Sequence, residues 1–91
     1  MKKYNPVKTS QFTKDLNTCK TRKVNLLPVF QVVLKLANSE ELPYNFRKHK
    51  LSGKYSGSFE GHVYNDILLV FSYQGDDIYF ERLGTHSDLF R

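Results

Sequence analysis

The sequence is short of most of the devices by which a small chain announces a function. It has one cysteine, Cys19, so no internal disulfide can form and no cysteine cluster can hold zinc; a reducing cytoplasm fits such a chain. No run approaches the ~20 apolar residues of a membrane span, and no membrane partner is expected. The basic start Met1-Lys2-Lys3-Tyr4-Asn5-Pro6 lacks an apolar stretch and does not read as a secretion signal. No internal repeat or low-complexity segment is present. Neither a His-x-x-x-His pair nor a cysteine pair lies on one element, which weakens a metal-site reading of the histidines and leaves no cofactor expected. Negative charge is also scarce: 9 Asp and Glu stand against 14 Lys and Arg, a net charge of +5. That balance suits an anionic partner, either nucleic acid or an acidic protein segment, although a plain soluble basic protein would share it.

What is present is enough for one small folded domain spanning 1–91. The 91 residues are too few for two cores, and a hydrophobic content of 40% argues against disorder. Residues 3–9 read as a short strand, and Pro6 argues for an edge position there or for a strand that starts late. Ser10 is a plausible N-cap for a helix from Gln11 to about Arg22, with Phe12, Leu16 and Cys19 as its apolar stripe. A second helix spans about Leu26 to Asn38, with Pro28 tolerated in its first turn. Its stripe of Leu26, Phe30, Val33 and Ala37 is widened by Leu27 and Leu34, and Val29, Val32 and Leu36 add apolar surface beyond it, so it should pack on two sides, against the first helix and against a sheet. A loop from Asn38 to Asn45 leads to the basic run Phe46-Arg47-Lys48-His49-Lys50. Strands are expected at Leu51–Tyr55 (broken by Gly53), Ser58–Val63, Ile67–Phe71 and Ile78 onward, with turns at Ser56-Gly57, Tyr64–Asp66 and Gln74–Asp77. Ile67–Phe71 is continuously apolar and should be buried on both faces. The order is β-α-α-β-β-β-β: an α+β domain with a two-helix hairpin on a mostly antiparallel twisted sheet.

The chemistry-bearing residues gather in the second half. All three histidines, His49, His62 and His86, lie there, near strand ends. Gly84 breaks the last strand, placing His86 on a loop just beyond Arg82. Arg can hold a phosphate in a bidentate fork, and His can exchange a proton near neutral pH. The hairpins keep His62 near Asp66 and bring Arg82 back beside Asp66, so these residues should converge at one sheet end. RNA carries its own nucleophile, the 2′-hydroxyl. A ribonuclease reading therefore assigns Arg82 to the charged phosphate and His86 to general acid, with Asp66 or His49 as base and His62 the third candidate. Phe90 is either a greasy anchor or a platform for an unstacked base. Lys48, Lys50 and Lys54 would hold RNA backbone, or merely aid solubility.

The ending Phe80-Glu81-Arg82-Leu83-Gly84-Thr85-His86-Ser87-Asp88-Leu89-Phe90 resembles the C-terminus of YafQ-type toxins of bacterial toxin–antitoxin systems, in the RelE/ParE superfamily. Lys48-His49-Lys50-Leu51-Ser52-Gly53 and Gly61-His62-Val63-Tyr64-Asn65-Asp66, followed by Ile67–Phe71, match the family upstream. The resemblance implies a RelE-like fold with the element order above. It implies an mRNA interferase that cuts messages in the ribosomal decoding site, and a cognate antitoxin bound to the basic face; DNA would be met only through the antitoxin complex. The imidazoles, carboxylate and guanidinium of the candidate site, with no compact ligand pair, lead to the expectation that cleavage is metal-independent. Three departures stand out. Ile67 takes a place where Trp is common, Asn65 one where Pro is common, and Phe59 one where Arg is common. The first removes a stacking surface and the third a phosphate-binding cation. The rival reading is a non-catalytic, ParE-like toxin that poisons by binding a protein, although chains of that type generally lack this His/Asp set.

Overall fold

The computed structural model describes residues 2–90. Its elements run β1 (Asn5–Lys8), α1 (Ser10–Thr21), α2 (Leu27–Ala37), β2 (His49–Lys50), β3 (Phe59–Tyr64), β4 (Ile67–Gln74), β5 (Asp77–Gly84) and α3 (His86–Leu89), with single 3₁₀ turns at Tyr44–Phe46 and Gly53–Tyr55. The five strands form one sheet in the order β1-β5-β4-β3-β2. β1 pairs in parallel with β5 and the other neighbours are antiparallel. The α+β class and the two long helices are those the sequence predicts. β1 is an edge strand, where the missing N–H of Pro6 costs no ladder bond.

Several local expectations shift. The cap of α1 is Thr9 rather than Ser10: its hydroxyl oxygen accepts from the Phe12 N–H at 3.0 Å and donates to the Phe80 carbonyl at 3.1 Å. One side chain thus starts the helix and ties it to β5. The strand expected at Leu51–Tyr55 is instead a two-residue β2 followed by a 3₁₀ turn; Gly53, at φ 65°, turns the chain away from the ladder. On α2 the buried positions are Val29, Val32, Leu36 and Ala37, while Leu27, Phe30 and Leu34 are exposed. The helix packs on one side only, against β3 and β1, so the expectation of two buried sides does not hold.

β4 is buried along Ile67–Ser72, as a central strand covered on both faces must be. On the helix side Leu69 and Phe71 join Phe12, Val29, Val32, Ile78, Phe80 and Leu83 in the main core. On the other face Leu68 and Val70 pack with Leu89, Leu51, Tyr55 and Phe90. Gly61 is demanded by packing: a Cβ there would lie 2.1 Å from the Phe46 ring, so the 3₁₀ turn can seat Phe46 on β3 only over a glycine.

One irregularity decides which face Arg82 takes. The β4–β5 ladder runs Tyr73↔Ile78 and Phe71↔Phe80, then slips so that Val70 faces Arg82. Glu81 is the extra residue of a β-bulge. A regular ladder would pair Val70 with Glu81 and turn Arg82 toward the helices. The bulge turns Arg82 to the face away from them instead, since directly paired residues share a face.

Candidate active site

The open face of the sheet carries a row of side chains across four strands. His49 pairs with Glu60, Glu60 with Val70, and Val70 with Arg82. At ~4.8 Å per strand the row spans ~14 Å. The next row, His62–Leu68–Gly84, runs directly to the turn that starts α3. His49, His62 and Arg82 therefore share one face, as the ribonuclease reading needs. Arg82 is not beside Asp66, however: its partner is Val70, and Asp66 sits out at the β3–β4 turn. The bulge and the length of the ladder together account for the difference.

Arg82 is held tightly. Its Nε donates to Asp15 Oδ2 at 2.8 Å and its Nη2 to Asp15 Oδ1 at 3.3 Å, while Nη1 reaches the Tyr55 hydroxyl at 3.4 Å. β1 ends opposite Phe80, which leaves the edge of β5 bare beyond it. Asp15 fills that gap by accepting the Leu83 backbone N–H at 2.9 Å. The hydrogen bonds that Arg82 donates to Asp15 hold its proton more firmly than in a free guanidinium.

His86 is the first residue of α3 rather than part of a loop. Thr85 and Asp88 form a reciprocal capping box: the Thr85 Oγ1 accepts from the Asp88 N–H at 3.2 Å, and Asp88 Oδ2 accepts from the Thr85 N–H at 3.0 Å. The same carboxylate takes Arg22 Nη1 at 2.8 Å, joining α3 to the end of α1. The Arg22 hydrogen bond, helped by the Thr85 N–H, lowers the Asp88 pKa to about 2. Gly84 belongs to this turn, because a Cβ would stand 2.9 Å from Asp88 Oδ2. His86 itself is exposed, with its ring centroid 5.0 Å from that of Phe90. Phe90 meets Tyr55 edge-on at 5.6 Å. A continuous line of contacts thus joins Arg82, Tyr55, Phe90 and His86.

At the far end of the row, His49 Nε2 lies 3.2 Å from Glu60 Oε1, and its Nδ1 lies 3.1 Å from the Arg47 carbonyl oxygen. Both ring nitrogens therefore face acceptors. His62 is exposed and has no side-chain hydrogen bond among the described residues; with Asn45, Arg47, Tyr64 and Asn65 it lines a cavity of about 220 Å³. The lysines divide. Lys54 lies beside Tyr55 and Phe90, lining a second cavity of about 310 Å³. Lys48 and Lys50 belong to the other face. Lys50 pairs with Phe59, and the Lys48 ammonium sits over the rings of Phe59 and Tyr73 at 4.8 and 5.1 Å. Their expected RNA contacts are not assembled with the rest.

Three residues at the site were not singled out from the sequence. Asp15 stands between Phe12 and Cys19 at helical spacing, a lone carboxylate in an apolar stripe, which is a signal that it has a buried partner. Glu60 precedes His62 by two and so shares its face in a strand. Tyr55 carries no such signal, because the pattern of Leu51–Tyr55 reads as a strand and hides the 3₁₀ turn that delivers it.

The chain matches the protein-family model for the bacterial toxin of type II toxin–antitoxin systems, YafQ, over residues 4–91. The mRNA interferase toxin YafQ of Escherichia coli K12 is 29% identical over 83 residues, covering 90% of each chain. In the crystal structure of the E. coli DinJ–YafQ toxin–antitoxin complex, a similar chain superposes with a TM-score of 0.87 at 27% identity, across 98% of this chain and 99% of that one. A copper-bound mutant toxin from Helicobacter pylori superposes at 0.88 with 30% identity, across 96% of this chain and 99% of that one.

Proposed function

The chain belongs to the YafQ family of toxins of type II toxin–antitoxin systems, and from that membership we propose that it cleaves messenger RNA as a ribosome-dependent endoribonuclease in the cytoplasm. The observation that carries the proposal is the shared face: the bulge at Glu81 turns Arg82 to the side that holds His49 and His62, with His86 and Phe90 joined to Arg82 through Tyr55.

In the proposed reaction the 2′-hydroxyl attacks the adjacent phosphorus, and a base takes its proton. Arg82 donates to the phosphoryl oxygens as charge builds on the phosphorane. The bond from phosphorus to the 5′-oxygen breaks, and His86 protonates that oxygen. The products are a 2′,3′-cyclic phosphate and a 5′-hydroxyl. Among the three candidates His62 is the base: both nitrogens of His49 are engaged, and Asp66 stands apart on its turn, whereas the His62 ring is free on the working face. Each proton transfer is worth ~10²–10⁴-fold. Phe90 offers a ring face to an unstacked base, and Lys54 offers charge to the backbone. These steps use imidazole, guanidinium and hydroxyl groups alone, so we propose catalysis without a metal. A zinc- or copper-loaded protein that loses activity when stripped before addition to ribosomes would refute that. An acidic antitoxin segment is the proposed physiological partner.

Primer extension on cellular messages after brief induction tests the reading. The wild-type chain should create new 5′ ends, and a folded His86→Ala chain should not. A wild-type chain that stops growth while messages stay intact would point to poisoning by protein binding instead.

A further inference from the structure

We infer that Asp15 is the positioning residue for Arg82: it fixes the guanidinium on the working face so that a defined pair of N–H donors meets the scissile phosphate. Its role presupposes the nuclease reading above. Arg82 lies next to a bulge on a strand whose outer edge is bare beyond β1, where a long side chain would sample many rotamers. Holding such a chain still costs rotamer entropy. Asp15 meets that cost before substrate arrives. It is 7% exposed, on the apolar side of α1, and each of its oxygens is used twice. Oδ2 accepts the Leu83 N–H and Arg82 Nε; Oδ1 accepts Arg82 Nη2 and Gln11 Nε2, the last at 3.1 Å. The backbone bond fixes the carboxylate relative to β5, and the carboxylate then fixes the guanidinium.

Donor arithmetic supports the role. A guanidinium has five N–H bonds. Two go to Asp15 and one to the Tyr55 hydroxyl. The remaining two, one on each terminal nitrogen, are the number that a bidentate phosphate contact requires. Asp15 offsets much of the Arg82 charge at 2.8 Å, so what it provides is direction rather than field. Preorganised donors of this kind need no rearrangement as the transition state forms.

The test compares Asp15→Asn and Gln11→Ala with the wild type, using three readouts: thermal unfolding, the Arg82 Nε–H resonance (assigned by its loss in Arg82→Lys), and single-turnover cleavage on programmed ribosomes at saturating protein. Asparagine keeps an oxygen for the Leu83 N–H but loses the charge and one acceptor. Asp15→Asn should keep the fold, shift or broaden the Arg82 Nε–H signal, and cut the cleavage rate by about 10- to 100-fold, the range of one charge-assisted hydrogen bond. Its apparent ribosome affinity should change less than about 3-fold, since direction rather than field is lost. Gln11→Ala, on the exposed face of α1, should lower the rate a few-fold with no loss of stability, and it decides the matter if Asp15→Asn does not fold. A folded Asp15→Asn that cleaves at the wild-type rate overturns the role of Asp15, and so does a wild-type rate in Gln11→Ala when Asp15→Asn is unfolded. In both cases wild-type cleavage leaves the nuclease reading standing, whereas a wild-type chain that cuts no message removes both.

Discussion

Asp88 is the residue whose loss should separate stability from activity. It closes the capping box with Thr85 and binds Arg22 at 2.8 Å, and nothing else ties α3 to α1 among the described side-chain bonds. Its carboxyl pKa falls from 3.8 to about 2 on folding. At ~1.36 kcal/mol per unit, a fall of about two units would be worth over 2 kcal/mol. The side chains of Arg22 and Asp88 are 53% and 29% exposed, so solvent screening brings this to about 1 kcal/mol. For a domain of this size 1 kcal/mol is ~4–8 °C in Tm. Asp88→Asn should therefore melt about 4–8 °C below the wild type near neutral pH. The sign of the pH dependence follows from the depressed pKa. The contribution is whole above the unfolded value of 3.8 and is lost as pH falls through about 2. The gap between the two proteins should therefore narrow as pH drops from about 4 toward 2. Cleavage should fall further than stability, because α3 is a single turn and its fraying displaces His86 and Phe90 together. Thermal unfolding by circular dichroism across pH 5 to 2.5, with cleavage assayed near neutrality, is the measurement. Equal melting temperatures at neutral pH, or a gap that stays constant on acidification, would refute the reasoning.

Gly61→Ala must push the Phe46 ring off β3, since the new Cβ would begin 2.1 Å from it; a loss of ~1–3 kcal/mol is expected in urea unfolding. Lys48→Met keeps the aliphatic stem but removes the ammonium from the rings of Phe59 and Tyr73. It should cost ~0.5–1 kcal/mol of stability and leave cleavage unchanged; lost cleavage in a stable variant would return Lys48 to the RNA surface. His62→Ala should slow single-turnover cleavage more than His49→Ala does, and the reverse order would make His49 the base. Binding of the proposed acidic antitoxin segment, followed by stopped flow at two ionic strengths, should show association that slows with salt while dissociation changes little. An association rate indifferent to salt would mean docking on the exposed apolar side of α2.

The parts of this chain that were legible in its sequence are those governed by local pattern. Pro6 marked an edge strand, the run Ile67–Phe71 marked the central one, and Gly75, at φ 59°, turned the last hairpin where turn chemistry required. What could not be read depended on register and on one-sided burial. The exposed Leu27, Phe30 and Leu34 are indistinguishable by type from the buried Val29, Val32 and Leu36, because an apolar residue carries no mark of whether its neighbour is protein or water. The stretch after Gly84 reads as a loop carrying His86, and the capping box that turns it into a helix is visible only once Asp88 is seen as a partner of Thr85.

The bulge at Glu81 is the clearest case of structure adding what sequence withholds. Alternation alone puts Phe80 and Arg82 on one face of β5, and Phe80 is fully buried beneath the helices. A regular strand would therefore bury Arg82 with it. The stretch Tyr79-Phe80-Glu81-Arg82-Leu83 carries no glycine or proline to announce the slip. Its cause lies across the sheet: Ser58 and Ser72 donate to the two oxygens of Glu81 at 2.5 and 3.1 Å, which holds the extra residue on the open face. Phe80 and Leu83 then both reach the main core, with two residues between them rather than one. The chain thus gains two anchors on the helix side and two charged side chains on the other. The bulge is both a packing solution for β5 and the means by which an arginine from a buried strand arrives at the open face.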